Sequence, residues 1–154
     1  MESAKIPTTA RRAFEWLRKM NIEVKLSIDS GDMYEFKYKE VLMFITTDTN
    51  DKELFISAPV YLMGKTDAEN RDIFETAKYM TNDDLKDYIV EYVRGQLSYI
   101  GQTYVRPKHI PTLRKYQFLQ MLDEIVDVYY TFLTATMIVA APLEYWMGDY
   151  DSKQ

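Results

Sequence analysis

The chain has no cysteine in its 154 residues. That absence removes disulfide frameworks, thiolate metal sites and thiol nucleophiles together, and it fits a reducing, cytoplasmic setting. Histidine occurs once, as His109 between two prolines in Pro107-Lys108-His109-Ile110-Pro111. A general base or metal ligand needs an orienting carboxylate or further ligands, and none stands near it in sequence, so no histidine triad is expected. The five glycines, Gly31, Gly64, Gly95, Gly101 and Gly148, are scattered, which excludes a phosphate-cradling loop. No serine sits in a G-x-S-x-G elbow or an S-x-x-K element, so the familiar acyl-transfer arrangements are missing too. Basic residues are in deficit: 19 Lys and Arg against 24 Asp and Glu give a net charge of -5. Nucleic acid is therefore not an expected partner, because a phosphate backbone is bound by clustered Lys and Arg. Long apolar runs are also missing. Val128 to Leu143 is the longest uncharged stretch; it is shorter than the roughly 18 residues a span needs, contains Tyr and Thr, and reads as a buried helix, so no membrane role is expected. The first sixteen residues, Met1 to Trp16, lack the apolar core of a secretory signal.

What is present is an ordinary globular balance, 47% hydrophobic and 28% charged residues, in a length that suits one domain with a sizeable core. A single domain over 1–154 is expected, with 1–8 loose and 143–154 forming a tail. Thr8 or Thr9 can cap a helix to about Met20 on which Ala10, Ala13, Phe14, Leu17 and Met20 face one way with Trp16 at the margin, and Asn21 ends it. Strict alternation then predicts a strand over Ile22–Asp29, with Ile22, Val24, Leu26 and Ile28 on one face. Ser30-Gly31-Asp32 turns the chain into a second strand on which Tyr34, Phe36 and Tyr38 face one way. A tight connection at Lys39-Glu40 leads to Val41–Thr47, apolar on both faces and so read as central. Asp48 to Asp51 is turn chemistry, and Glu53–Leu62 supplies a fourth strand.

Asp67 can cap a second helix from Ala68 to about Met80, with Ile73, Phe74, Ala77 and Tyr79 or Met80 inward, and Thr81-Asn82-Asp83-Asp84 is expected to end it. Tyr88–Val93 and Gln96–Arg106 are β-branched and aromatic, and predict a hairpin turning at Arg94-Gly95, with Gly101 marking a bulge or a close backbone approach. The longest element runs from Pro111 to about Ala141. Leu119, Leu122, Val126, Tyr129, Leu133 and Met137 recur at three- and four-residue steps, Phe118, Ile125 and Phe132 widen the stripe, and Pro142 stops it. This broad apolar stripe needs the sheet as its partner. The expected fold is α+β, an antiparallel sheet of five or six strands with three helices in the order α-β-β-β(-β)-α-β-β-α.

Three passages in this order, MYEFKYKEVLMFITTDTNDKELFISAP, IFETAKYMTNDDLKDYIVEYVRGQLSYIGQTYV and LQMLDEIVDVYYTFL, resemble the type III secretion chaperone-like fold, including the bacterial YbjN-like family of sensory-transduction or stress-associated proteins. The resemblance runs from about Ala10 to Thr136. It implies a non-enzymatic domain, without a cofactor, whose curved antiparallel sheet binds polypeptide segments or pairs with itself. Members with secretion-chaperone roles hold an unfolded stretch of an effector along apolar grooves and sheet edges. The chain departs from them in continuing 18 residues past Thr136, a tail able to occlude such a surface.

Asp123 and Asp127 share a face of the long helix beside Glu124. A two-metal carboxylate site would add a Glu-x-x-His element, which is missing, so a solvated face is expected. Asp83-Asp84 and Asp149-Tyr150-Asp151 lack the ligand spacing of a calcium loop. Aromatic residues reach 14%, with thirteen tyrosines. Tyr fits a pleated, half-buried surface, so strand packing is one reading of Tyr88, Tyr92, Tyr99 and Tyr104; Tyr, Trp and Met also supply large adaptable contact area, which makes these four with Tyr145, Trp146 and Met147 the candidate interface residues for a polypeptide client, a regulatory protein or a second copy in a homodimer. An apolar pocket between sheet and long helix, in a small-molecule-binding domain or enzyme, is the alternative.

Overall fold

The computed structural model describes residues 8–26, 33–47, 54–85, 87–93, 102–107 and 114–141. Among them are three helices and six strands: α1 (Thr8–Lys19), β1 (Lys25–Leu26), β2 (Met33–Tyr38), β3 (Val41–Thr47), β4 (Leu54–Val60), α2 (Asp67–Leu85), β5 (Tyr88–Val93), β6 (Gln102–Pro107) and α3 (Lys115–Ala140). The strands form one antiparallel sheet in the order β1-β2-β3-β4-β6-β5. The class and the element order are those the alternation and helical periods predict.

Local chemistry explains most boundaries. α1 ends where Asn21 turns left-handed at φ 61. The Ile22 N–H then reaches the Leu17 carbonyl at 3.0 Å and the Asn21 N–H reaches that of Arg18 at 2.9 Å, the paired bonds of a Schellman motif with Asn in the position glycine usually takes. Between β2 and β3, Tyr38 pairs with Val41, leaving Lys39 and Glu40 at φ 50 and 69. Two consecutive left-handed residues make a type I′ turn, whose twist suits a hairpin but strains side chains other than Gly, Asn or Asp. α3 stops at Ala141, whose backbone is extended at φ -64 and ψ 132, as the ring of the following Pro142 requires.

Several expected boundaries are corrected. β1 is two residues long and Leu26 is exposed; the ladder to β2 opens before it reaches Ile22 and Val24, which still pack on the core. α2 continues through Thr81-Asn82-Asp83-Asp84 to Leu85. The Thr81 hydroxyl is satisfied inside the helix by donating to the Ala77 carbonyl at 2.8 Å, and buried Leu85 extends the inward row of Asn70, Ile73, Phe74, Ala77 and Thr81. Tyr79 and Met80 lie on the exposed side, and Asp83 and Asp84 are solvated residues within the helix. Val93 pairs with Gln102, whereas a two-residue turn at Arg94-Gly95 would pair it with Gln96. α3 begins at Lys115 rather than at Pro111; the Arg114 N–H donates to Gln117 Oε1 at 3.0 Å, so a side chain one turn into the helix caps its start. The turn at 30–32, Ile28, Gly101 and the segments 1–7, 108–113 and 142–154 lie outside the described residues.

The core fills one side of the sheet. Phe36, Tyr38, Val41, Met43, Ile45, Ile56, Ala58, Val60, Tyr88, Val90 and Val105 alternate inward and meet all three helices in one cluster. The stripe of α3 centres on Phe118, Leu122, Ile125 and Phe132, each fully buried. The residues placed at its flank by sequence are thus its middle, and Met137, expected inward, is 52% exposed. Burial of each such phenylalanine stabilises by roughly 1.5–3 kcal/mol. Trp16 of α1 packs tilted against Phe118 at 5.4 Å between ring centres, and Phe74 of α2 meets Phe132 edge-on at 6.0 Å. Among the described residues, side chains of the sheet and of the long helix meet in this one cluster.

Candidate functional site

Three tyrosines on the covered side of the sheet end on carboxylates of the helices. Tyr38, at the end of β2, donates its hydroxyl to Asp123 Oδ1 of α3 at 2.8 Å, and Lys39 reaches the same oxygen at 2.7 Å. Tyr88 of β5 donates to Glu124 Oε2 at 2.5 Å, while the other oxygen of Glu124 accepts from Gln120 at 3.2 Å. Tyr92 donates to Asp67 Oδ1, at the first turn of α2, at 2.5 Å. The Arg71 guanidinium lies 5.0 Å from the Tyr92 ring centre and 3.6 Å from Asp67 Oδ2. Asp123 and Glu124 are adjacent on α3 and diverge by about 100° around its axis. They therefore brace the helix to β2 on one side and to β5 on the other. The expected solvated face holds for Asp127, which is exposed, but Asp123 and Glu124 are half-buried and engaged.

The electrostatics of these groups follow from burial and from the bonds just described. Burial raises the pKa of Tyr38, and its bond to Asp123 adds to the effect; burial and then the bond to Glu124 raise Tyr88 well above the ordinary phenol range. Asp123 is held below the usual carboxylate range, first by Lys39 and then by Tyr38, and Lys39 is raised by Asp123 in turn. A tyrosine acting as base or nucleophile needs its pKa lowered; these two are fixed as protonated donors. No group of three or more Asp, Glu or His among the described residues is placed to hold a metal ion, and none of their helices is long and apolar enough to cross a membrane.

Of the predicted interface residues, Tyr88 is buried and Tyr92 half-buried, and their hydroxyls donate to the helix carboxylates Glu124 and Asp67. Tyr104 pairs in register with Pro59 and Glu91, and its side chain is outside the described set. Tyr99, Tyr145, Trp146 and Met147 lie outside the described residues, as does His109.

The other side of the sheet carries a surface that the sequence reading missed. Leu42 and Phe44 of β3 point away from the helices and are half-buried, and Phe55 of β4 is 47% exposed. Phe44 pairs with Ser57 and Thr46 with Phe55, so the two phenylalanines are diagonal neighbours, about 7–8 Å apart by strand geometry. Glu35 and Lys37 flank them on β2, opposite Phe44 and Leu42. Where the β1–β2 ladder opens, a groove of about 360 Å³ runs between Asn21, Ile22, Glu23 and Lys25 on one wall and Glu35, Phe36, Lys37 and Leu42 on the other. Leu42 belongs both to this groove and to the apolar row. The two-sided apolar pattern of Val41–Thr47 was the available signal, but it reads equally as a strand covered on both faces.

No family model matches the sequence, and no curated protein matches it either. Among solved structures the fold is similar to that of YbjN from E. coli, described as a candidate transcription regulator, with a TM-score of 0.59 over 83% of this chain and 91% of YbjN, at 10% sequence identity. The chain thus has the YbjN fold, of the type III secretion chaperone-like kind that the meander, hairpin and long helix resemble.

Proposed function

We propose that the protein is a non-enzymatic binding module that holds an extended polypeptide segment on the outer side of its sheet. The observation that carries this reading is the groove at the opened β1–β2 ladder and its continuity with Leu42, Phe44 and Phe55. An extended chain lying there would bury alternate side chains against the apolar row. Lys25, Lys37, Glu23 and Glu35 on the rim would select charged neighbours. The likeness to YbjN supports a binding or regulatory role at the level of fold. The net charge of -5 directs any such regulation toward a protein partner, because DNA would require a basic patch.

The test is binding of fluorescently labelled, reduced and carboxymethylated lactalbumin, a permanently unfolded chain, followed by anisotropy. The parent protein should bind, and Phe55→Glu and Leu42→Glu, with unchanged circular dichroism, should each weaken binding at least about tenfold, the equivalent of roughly 1.4 kcal/mol. Absence of binding, or equal binding by both variants, refutes the assignment to this surface.

A further inference from the structure

The ladder between β1 and β2 stops after two pairs, Leu26 with Tyr34 and Lys25 with Glu35, although the residues beyond it are suited to continue. Carried on in the same register, the next pairs are Val24 with Phe36 and Glu23 with Lys37. The first sets a β-branched residue beside an aromatic and the second opposes unlike charges, both favourable cross-strand combinations. Val24 already packs on the core to which Phe36 belongs. Glu23 and Lys37 are exposed. Among the described residues the ion pair of Glu23 is with Lys25 of its own strand, at 3.9 Å, and both side chains are more than half exposed. The chain arrives at this point from the cap of α1. Asn21 at φ 61 and the bond from the Ile22 N–H to the Leu17 carbonyl at 3.0 Å fix it at Ile22, and the ladder fixes it again at Lys25. Glu23 and Val24 span these two anchors, with the groove of about 360 Å³ between them and β2.

Resting on the reading of that groove as the binding site, we propose that Glu23 and Val24 form a strap that closes it. The strap zips onto β2 in the register already set, brings Glu23 opposite Lys37, and must open again before an extended segment enters. The structure shows the open form. Closure is a short move, because two residues between fixed points are all that travel. It needs no change of register, and a slip by one residue would turn Val24 out to water, so the register in place is the one that closure keeps. It extends backbone pairing along β2 at Phe36 and Lys37, whose other side is held by β3. The walls of the groove are also complementary in charge, with Lys25 across from Glu35 and Glu23 across from Lys37 in the extended register, so they attract each other when nothing lies between them. A bound segment and the strap then compete for the same edge of β2. The apparent affinity of the site is reduced by the fraction of molecules in which the strap is open, which makes the strap a built-in control on what the groove holds.

The test uses the full chain and its lack of cysteine. Glu23→Cys combined with Lys37→Cys puts a thiol on each member of the unformed pair. In the closed strap their Cα atoms stand about 4.5–5.5 Å apart, within the range that a disulfide bridges. Glu23→Cys combined with Glu35→Cys is the comparison, a diagonal of the same register at about 7–8 Å. In a glutathione redox buffer the first pair should form an intramolecular disulfide with an equilibrium constant at least about tenfold above that of the second. The oxidised first variant should then bind labelled, reduced and carboxymethylated lactalbumin at least about tenfold more weakly than the same variant reduced, and dithiothreitol should restore binding. Equal disulfide formation by the two pairs overturns the proposal. So does equal behaviour of the oxidised and reduced forms, whether both bind or neither binds while the parent does. If the parent itself does not bind and the preference for the first pair holds, the strap closes as proposed and it is the reading of the groove as a binding site that fails.

Discussion

Replacing Tyr88 with Phe isolates one of the braces between helix and sheet. The ring of Tyr88 is buried to 8% exposure and stays in place; only the hydroxyl, 2.5 Å from Glu124 Oε2, is removed. A hydrogen bond to a charged acceptor contributes roughly 1.5–3 kcal/mol. The lower end applies, because Glu124 is half-buried and keeps its bond to Gln120, so the orphaned carboxylate is partly rehydrated. With an unfolding entropy of about 2.1 cal/mol/K per residue, a loss of about 1.5 kcal/mol in a chain of this length lowers Tm by about 5 °C. Calorimetry and urea unfolding measure the loss, and a double-mutant cycle with Glu124→Gln separates the pair from the individual residues. The sign with pH is defined as well. The folded pKa of Tyr88 is raised, so its contribution is complete below the ordinary value of 10.0 and is lost as pH climbs through the raised one. A Tyr88→Phe variant within about 0.3 kcal/mol of the parent, or a coupling energy near zero, refutes the idea that these hydroxyls fix α3 on the sheet, since distant independent sites already add to within about that margin.

Three further outcomes follow from single sites. Thr103 is fully buried and its hydroxyl has no hydrogen-bond partner among the described residues, so Thr103→Val, of the same shape, should stabilise by about 1 kcal/mol in urea unfolding. A Cβ at Gly64 would stand 2.4 Å from Asn70 Oδ1, the atom that accepts the Gly64 N–H at 2.7 Å; Gly64→Ala should therefore destabilise by about 1–3 kcal/mol, through strain and a disrupted buried amide. Asp123 is held below the ordinary carboxylate value of 3.8. Its contribution is present above that value and lost as pH falls through the folded pKa, so the stability gap between the parent and Asp123→Asn should be constant near neutrality and close in acid, as read by unfolding at a series of pH values.

Much of the fold was legible because period and punctuation agreed. Tyr34, Phe36 and Tyr38 alternate as the strand requires, Asn21 and Pro142 end helices by local geometry, and the order of elements leads to the YbjN fold. The failures share a physical origin in tertiary contacts that a local pattern does not contain. Thr81 and the acidic residues after it look like a helix stop, but buried Leu85 carries α2 onward. The stripe on α3 was displaced to one side because Phe118, Ile125 and Phe132 and the row from Leu119 to Met137 are equally periodic, and only the packing of Trp16 and Phe74 decides between them. The carboxylates Asp123 and Glu124 looked solvated because their tyrosine partners lie 85 and 36 residues away in sequence. The same limit hid the candidate surface. Apolar residues on both sides of β3 say that it is central to the sheet and leave open which side is covered.

The measurement that bears most directly on the central claim is a titration of the isotope-labelled protein with unlabelled, reduced and carboxymethylated lactalbumin, followed by backbone amide shifts. If an extended chain lies on the outer side of the sheet, the amides of Leu42, Phe44, Phe55 and Ser57 and those lining the groove from Ile22 to Lys25 shift together, while those of Tyr88, Glu124 and Asp67 stay in place. Shifts concentrated at the tyrosine–carboxylate braces, or a spectrum that does not change at saturating polypeptide, would contradict it.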